Sequence, residues 1–176
     1  MKDGSVVPMM GETEYFVESA PVTAPWNIFY CPTSSGVNYW VYGGSDKIGV
    51  CNNISAHVDI TPAATTLTAD DSHRWTGTWL NGVFFMNSAN EELLVWDNID
   101  PDAPVMMKRS SSITDTEYQS DWRFNSVRAY KEILIGIGLT VGSADFPTSI
   151  VWSGPASAGT VPIAWDAANL NNIAGE

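Results

Sequence analysis

Short apolar runs closed by turn residues recur along the chain, and alternation of apolar and polar positions outcompetes a 3.6-residue period throughout. No window of 11 or more residues sustains a helical stripe, so the pattern predicts an all-β protein. Residues 1–24 hold one strand signal, Glu14-Tyr15-Phe16-Val17, after a start marked by Gly4, Pro8 and Gly11. They read as an N-terminal strand or arm that would complete a sheet begun elsewhere and would need covering as a free edge.

The remainder, 25–176, reads as successive four-stranded antiparallel meanders. The first covers 25–62: strands at Trp26–Cys31, Val37–Tyr42, Lys47–Cys51 and His57–Ile60, with turns at Pro32–Gly36 and Gly43–Asp46. The second covers 73–108. Trp75–Leu80 and Val83–Met86 flank Asn81-Gly82, the turn dipeptide that best tolerates positive φ at both central positions, and Leu93–Trp96 and Val105–Met107 follow. Arg109 to Asp121 is polar and aperiodic, and reads as an exposed loop or linker. The third meander covers 122–168, with strands at Ser126–Lys131, Ile133–Leu139 and Ile150–Trp152 and a short strand and helical turn within Thr160–Ala168. Ile133–Leu139 is almost wholly apolar and reads as a strand buried on both faces, the best core candidate in the chain.

Trp40, Trp96 and Trp152 stand 56 residues apart, each inside an apolar run, and a fixed period of that size suggests stacked supersecondary units. The first meander has about 38 residues against roughly 40–45 and four strands for a β-propeller blade. The pattern therefore predicts a partial β-propeller of about three blades, fewer than the roughly four needed for closure. The Trp-bearing strand moves from second to third place between the first two units, which loosens the repeat.

Composition narrows the function. At 176 residues the chain fits one domain and buries roughly 70% of its unfolded surface. The net charge of −12 and pI of 4.3 argue against a nucleic-acid-binding surface, because 8 scattered Lys and Arg cannot neutralise clustered phosphates. The acidic excess reads first as solubility; a sharper reading is an acidic wall that keeps DNA from sticking as it slides past. Cys31 and Cys51 read as buried free thiols. No run of 18 apolar residues and no signal-peptide pattern is present.

Candidate chemistry is thin. Asp70-Asp71-Ser72-His73 holds carboxylate, hydroxyl and imidazole, but neighbours on an extended chain point to alternate faces, so the stretch reads as a turn or cap. His57 and Asp59 share a face without a third partner, and Cys31, Cys51, His57 and His73 lack metal-ligand spacing. Ser72-His73-Arg74-Trp75-Thr76-Gly77-Thr78-Trp79 imitates the Asp-box of sugar-hydrolysing propellers, with Arg74 in place of its Asp and Thr76 in place of its Gly. Gly136-Ile137-Gly138 lacks the third glycine and helix of a phosphate loop. The expectation is a non-enzyme with no catalytic, cofactor-binding or metal-binding residues, its eight tryptophans serving the core.

Val127-Arg128-Ala129-Tyr130-Lys131, Ile133 to Thr140, Phe146-Pro147, Val151-Trp152-Ser153, Gly159-Thr160-Val161-Pro162, Trp165-Asp166 and Ala174-Gly175-Glu176 together resemble tail nozzle, or packaged-DNA stabilisation, proteins of short-tailed bacteriophages. Lys2-Asp3-Gly4-Ser5, Pro25-Trp26-Asn27, Tyr39–Tyr42 with Asp46-Lys47-Ile48, and His73–Thr76 with Leu80–Val83 are similar too, so the resemblance spans almost the whole length. It implies a β-propeller-bearing virion protein, made in the bacterial host cytoplasm and assembled into a homo-oligomeric, sixfold tail ring. Its partners would be the adaptor or portal-side ring and fibres or a needle. DNA would pass through without specific binding and be held until ejection. Members of that family are several times longer, so the resemblance also implies a fragment or shortened member. The competing expectation is a carbohydrate-binding propeller module of a receptor-binding tail component, and a third is a sugar hydrolase with two converging carboxylates.

Overall fold

The computed structural model describes residues 21–22, 25–32, 38–52, 57–63, 66–97 and 105–165. These form eleven strands in three antiparallel meanders, with no α-helix among them. The first sheet is β1 (Asn27–Cys31), β2 (Tyr39–Gly43), β3 (Ile48–Asn52) and β4 (Val58–Asp59). The second is β5 (Thr76–Leu80), β6 (Val83–Asn87), β7 (Leu94–Trp96) and β8 (Lys108–Arg109). The third is β9 (Trp122–Tyr130), β10 (Ile133–Val141) and β11 (Ala144–Trp152). In each, strands pair in chain order. The Asn81-Gly82 turn forms as expected, with φ of 48° and 93°.

The second sheet is the middle layer, and alternation assigns its two faces. Phe84, Met86, Leu94 and Trp96 join Tyr39, Val41, Ile48 and Val50 of the first sheet in one core. Val83, Phe85, Leu93 and Val95 join Phe124, Val127, Leu134 and Val151 of the third sheet in another. β6 and β7 are consequently buried at every position, as a sheet covered on both sides requires. The first core is tight: a Cβ on Gly43 would fall 2.5 Å from Met86 Cε and Trp75 Cδ1.

A polar seam joins the second and third sheets along their first strands. Thr76 and Thr78 project from β5 on the same face as Phe85, and their Oγ1 atoms accept from Val127 N (3.4 Å) and Ala129 N (2.9 Å), the outward amides of β9. Asn87, fully buried, accepts from Thr76 Oγ1 and donates to Phe124 O at 2.6 Å. An Asn27 side-chain bond to Trp75 O ties β1 to the start of β5.

Several expectations change. Ile133–Leu139 is not buried on both faces. β10 is a one-sided strand in the end layer, with Leu134 fully buried and Ile137 41% exposed. Its alternation also breaks at Gly138, whose φ of +67° turns the chain so that Leu139 faces the core beside Phe124. The third meander has three strands among the described residues, and 160–165 form no strand. After β11 the chain turns back instead, with Gly154 N bonded to Ala164 O and Gly159 N to Asn81 O. The fourth strand of the second sheet is Lys108–Arg109, directly after Val105–Met107. The loop from Arg109 to Asp121 is not simply exposed. It opens with a 3-10 turn at Ser110–Ser112 and carries the buried Tyr118, which donates to Trp122 O and accepts from Leu93 N. Trp75, Trp96 and Trp165 are buried, whereas Trp40 and Trp152 are half-buried and lie on outer faces, so the 56-residue spacing marks no equivalent positions. The Glu14–Val17 strand, most of the Pro32–Gly36 turn and the helical turn after Trp165 lie outside the described residues.

Two substitutions test the layering. Phe85→Ala should lower stability by about 3–5 kcal/mol through the cavity it leaves, and Gly43→Ala by about 1–3 kcal/mol through overpacking against Trp75. Urea unfolding with an unchanged m-value measures both, and wild-type midpoints in either variant would contradict the packing described.

Candidate functional site

A concave feature lies on the outer face of the first sheet. Pairing puts Ile28 opposite Tyr42 and Gly49, and Tyr30 opposite Trp40 and Cys51, so these side chains point away from the second sheet. A cleft of about 360 Å³ opens there between Pro25, Trp26, Asn27, Ile28, Tyr42, Cys51 and His57. Gly49 admits it, because the Tyr42 ring lies where a Cβ would stand.

Tyr42 Oη lies 2.7 Å from His57 Nδ1. Burial, reinforced by nearby Cys51 and Asp59, pushes the phenol well above its ordinary value. Tyr42 therefore keeps its proton, and its hydroxyl shares one hydrogen bond with the imidazole. Burial also raises the Cys51 thiol, whose Sγ sits 3.9 Å from Trp40 O. A protonated thiol beside a protonated phenol gives the cleft no activated nucleophile.

Asp59, expected beside His57, turns to other partners. Its Oδ1 accepts from Thr61 N (3.0 Å) and Thr61 Oγ1 (2.6 Å), and its Oδ2 meets Lys47 Nζ at 3.0 Å. A second cleft of about 350 Å³ borders this group. Burial opposes ionisation of Asp59, but the Thr61 and Lys47 hydrogen bonds outweigh it and hold the carboxyl below its usual range.

At 70–73 the chain makes a turn. Asp70 Oδ1 accepts from Ser72 N (2.8 Å) and His73 N (2.9 Å), while His73 Nδ1 closes on the same carboxylate at 2.9 Å. Arg74 pairs with Asp71. Carboxylate and imidazole are thus consumed in a local Asx-type turn on the surface. The Asp-box look-alike splits between this turn and β5. Cys31 and Cys51 are free and sit on opposite faces of the first sheet, Cys31 in the core with Tyr39 and Cys51 outward with Trp40. That placement forbids a bridge between them. Burial pushes the Cys31 thiol up to about 12. No group of three or more His, Cys, Asp or Glu among the described residues is placed to hold a metal.

The Tyr42–His57 pair escapes sequence reading because its members are 15 positions apart and meet only through the register of β2, β3 and β4. The other feature missed is where exposed apolar side chains gather. Ile28 and Tyr30 stand on the outer face of the first sheet, and Tyr130, Ile137 and Ile150 on that of the third. No protein-family model matches the chain, and no curated protein matches it.

Both thiols should resist Ellman's reagent in the native protein at pH 8 and react fully once urea unfolds it; rapid native labelling of Cys51 would show an exposed, activated thiol. Asp59 also gives a signed pH dependence. Its folded value lies below the unfolded one of about 3.9, so its contribution is present above pH ~4 and lost as pH falls through the folded value. Asp59→Asn should therefore be less stable than wild type at pH 7, with the gap closing towards pH 2 in denaturant titrations; a gap independent of pH would remove this role.

Proposed function

We propose that this chain is a non-enzymatic structural protein of a short-tailed phage virion, part of a tail ring that continues the DNA channel and retains DNA until ejection. In this reading the three sheets are blade-like units of a partial β-propeller. The observation that carries it is the order of the stack. Each sheet is a meander that leaves from its first strand, and the first strands β1, β5 and β9 follow one another side by side, tied by the Asn27, Thr76 and Thr78 bonds. A propeller lines its centre in that way.

Charge is consistent with the proposed channel. Lys47, Arg74, Lys108 and Arg109 each face a carboxylate, and the net charge of −12 would repel passing DNA. Partners in this reading are the adaptor or portal-side ring and fibres or a needle. Exposed Tyr30 and Tyr130 favour a second reading, a carbohydrate-binding module, because an open aromatic face can stack on a sugar ring.

Antibodies raised against the chain should decorate the tail end of DNA-filled particles in negative stain. Particles that remain unlabelled while a glycan array gives selective binding abolished by Tyr130→Ala would replace the tail-ring reading with the sugar-binding one.

A further inference from the structure

Among the described residues the third sheet packs its core side on the second sheet and leaves the other side uncovered. On that outer face, pairing puts Tyr130 beside Ile133, Ile135 between Arg128 and Trp152, and Ile137 between Ser126 and Ile150. Tyr130, Ile137 and Ile150 are 58%, 41% and 51% exposed, while Ile133, Ile135 and Trp152 are half-buried. A row of isoleucines thus runs down the middle strand, with an aromatic ring on the strand at either side. Contiguity separates this patch from singly scattered apolar side chains, which need no explanation, and marks it as an interaction surface.

The cations divide at the same boundary. Lys47, Arg74, Lys108 and Arg109, all before the third sheet, each face a carboxylate. Arg123, Arg128 and Lys131 belong to β9 and its turn, and among the described residues none of them is in an ion pair. Arg123 donates to Ser120 O and Trp122 O, Arg128 donates to Val127 O, and Lys131 Nζ lies 5.4 Å from the Tyr130 ring centroid. With Glu132 and Asp145 as its acids, segment 122–152 carries +1, while the rest of the chain carries −13. Arg128 is exposed and stands in the row of Ile135 and Trp152, so a cation without a carboxylate borders the apolar patch directly.

We infer that this face binds a short acidic segment of a different protein, its apolar side chains lying on the isoleucine row and its carboxylates meeting Arg128 and Lys131. Burial of Tyr130 and the isoleucines supplies the affinity. The two cations supply the selection, because a carboxylate gains there what a Lys or Arg in the same place would lose. The inference stands apart from the tail-ring reading and needs no second copy of the chain.

Size decides against a globular partner. From residue 133 to 137 and across three strands the patch spans roughly 14 Å by 10 Å between backbone positions, far below the roughly 800 Å² per side of a standard interface. Its centre decides against a sugar, since hydroxyls laid on three isoleucines would leave water with nothing to replace it. Strand addition is a poorer route for the same segment: the outward amides of β9 are met by threonines, and β11 is interrupted where Pro147, Thr148 and Ser149 stand opposite Gly138 alone. Side-chain packing on the face remains.

The test pans a library of random short linear peptides over the immobilised full chain, with Ile137→Glu/Ile150→Glu as the counter-target. Both replaced side chains are exposed, so the double variant should keep the wild-type circular dichroism spectrum. Peptides held by wild type and not by this variant should carry more Asp and Glu than Lys and Arg, together with Ile, Leu, Phe or Tyr. A synthetic peptide of the enriched sequence should bind the double variant about tenfold more weakly. It should also bind Arg128→Gln/Lys131→Asn more weakly, a pair that removes two charges and keeps at 131 a residue suited to its φ of 54°. Added sodium chloride should weaken binding to wild type more steeply than to that charge variant. Should the isoleucine variant unfold, the charge variant carries the test alone. No enrichment, enrichment of basic peptides, or equal binding by the charge variant overturns the proposal. So does peptide-free self-association that Ile150→Glu abolishes in analytical ultracentrifugation, which would give the face to a second copy, and so does glycan binding lost with Ile137→Glu.

Discussion

Everything in this molecule depends on the two-sided burial of β6 and β7. Val83-Phe84-Phe85-Met86 sends alternate side chains into two different cores, and Leu93-Leu94-Val95-Trp96 does the same from the facing strand. Each large side chain removed from water there contributes about 1.5–3 kcal/mol before entropy is set against it, and the first and third sheets bury their larger described core clusters against it. A sheet cannot face the second layer from both sides unless its strands lack a polar face altogether, and these two strands are where the chain spends its densest apolar residues. The three-layer stack follows from that allocation.

Non-directional burial does not fix how the layers are rotated or shifted. Buried polar groups do, because an unpaired one costs about 1–3 kcal/mol. Asn87 is satisfied only when Phe124 O and Thr76 reach it, and the amides of Val127 and Ala129 only when β5 offers threonines at the matching spacing. Glu91 and Glu92, both buried, act likewise at the other end of the second sheet. Glu91 accepts from Thr68 N and Oγ1, Glu92 from Ser111 Oγ, and Arg109 stands near both carboxylates. Tyr118 and Trp165 then fasten the two long loops, their rings 5.4 Å apart in an edge contact.

The strands of the first two sheets were legible because short-range chemistry determines them: Asn81-Gly82 needs positive φ twice, and alternation around it leaves one register. What could not be read was which apolar run lies in the middle layer. Val83–Met86 and Ile133–Leu139 look alike in hydropathy, and only the positions of the other sheets tell a strand covered twice from one covered once. The glycines at 136 and 138 held a clue. A Cβ on Gly136 would fall 2.5 Å from the ring of the core residue Phe124 and one on Gly138 2.3 Å from the Asn125 amide nitrogen, so at both positions β10 gives up side-chain volume to a neighbour from β9. Tyr118 was missed for the opposite reason, as one aromatic in a polar segment has no period to betray it. The Tyr42–His57 contact needed the register of three strands, which hydropathy alone leaves undetermined.

The distribution of protection over the surface gives the last step. A layered β-protein can grow in two directions, sideways through backbone pairing at a strand edge or along the stack through side-chain packing on a sheet face. Sideways growth demands free amides and carbonyls in an uninterrupted strand, and this chain shortens, caps or breaks its edges at β4, β8, β9 and β11. Packing on a face demands only apolar surface, and among the described residues the third sheet leaves Ile137 and Ile150 exposed, whereas the first exposes Ile28 and Tyr30 on β1 but covers Tyr42 and Cys51 with Val22. Solubility alone would have placed charges on both faces, as it did on the loops around Asp70 and Asp71. Blunted edges therefore close the sideways route to uncontrolled strand pairing, the route by which an all-β chain most readily aggregates.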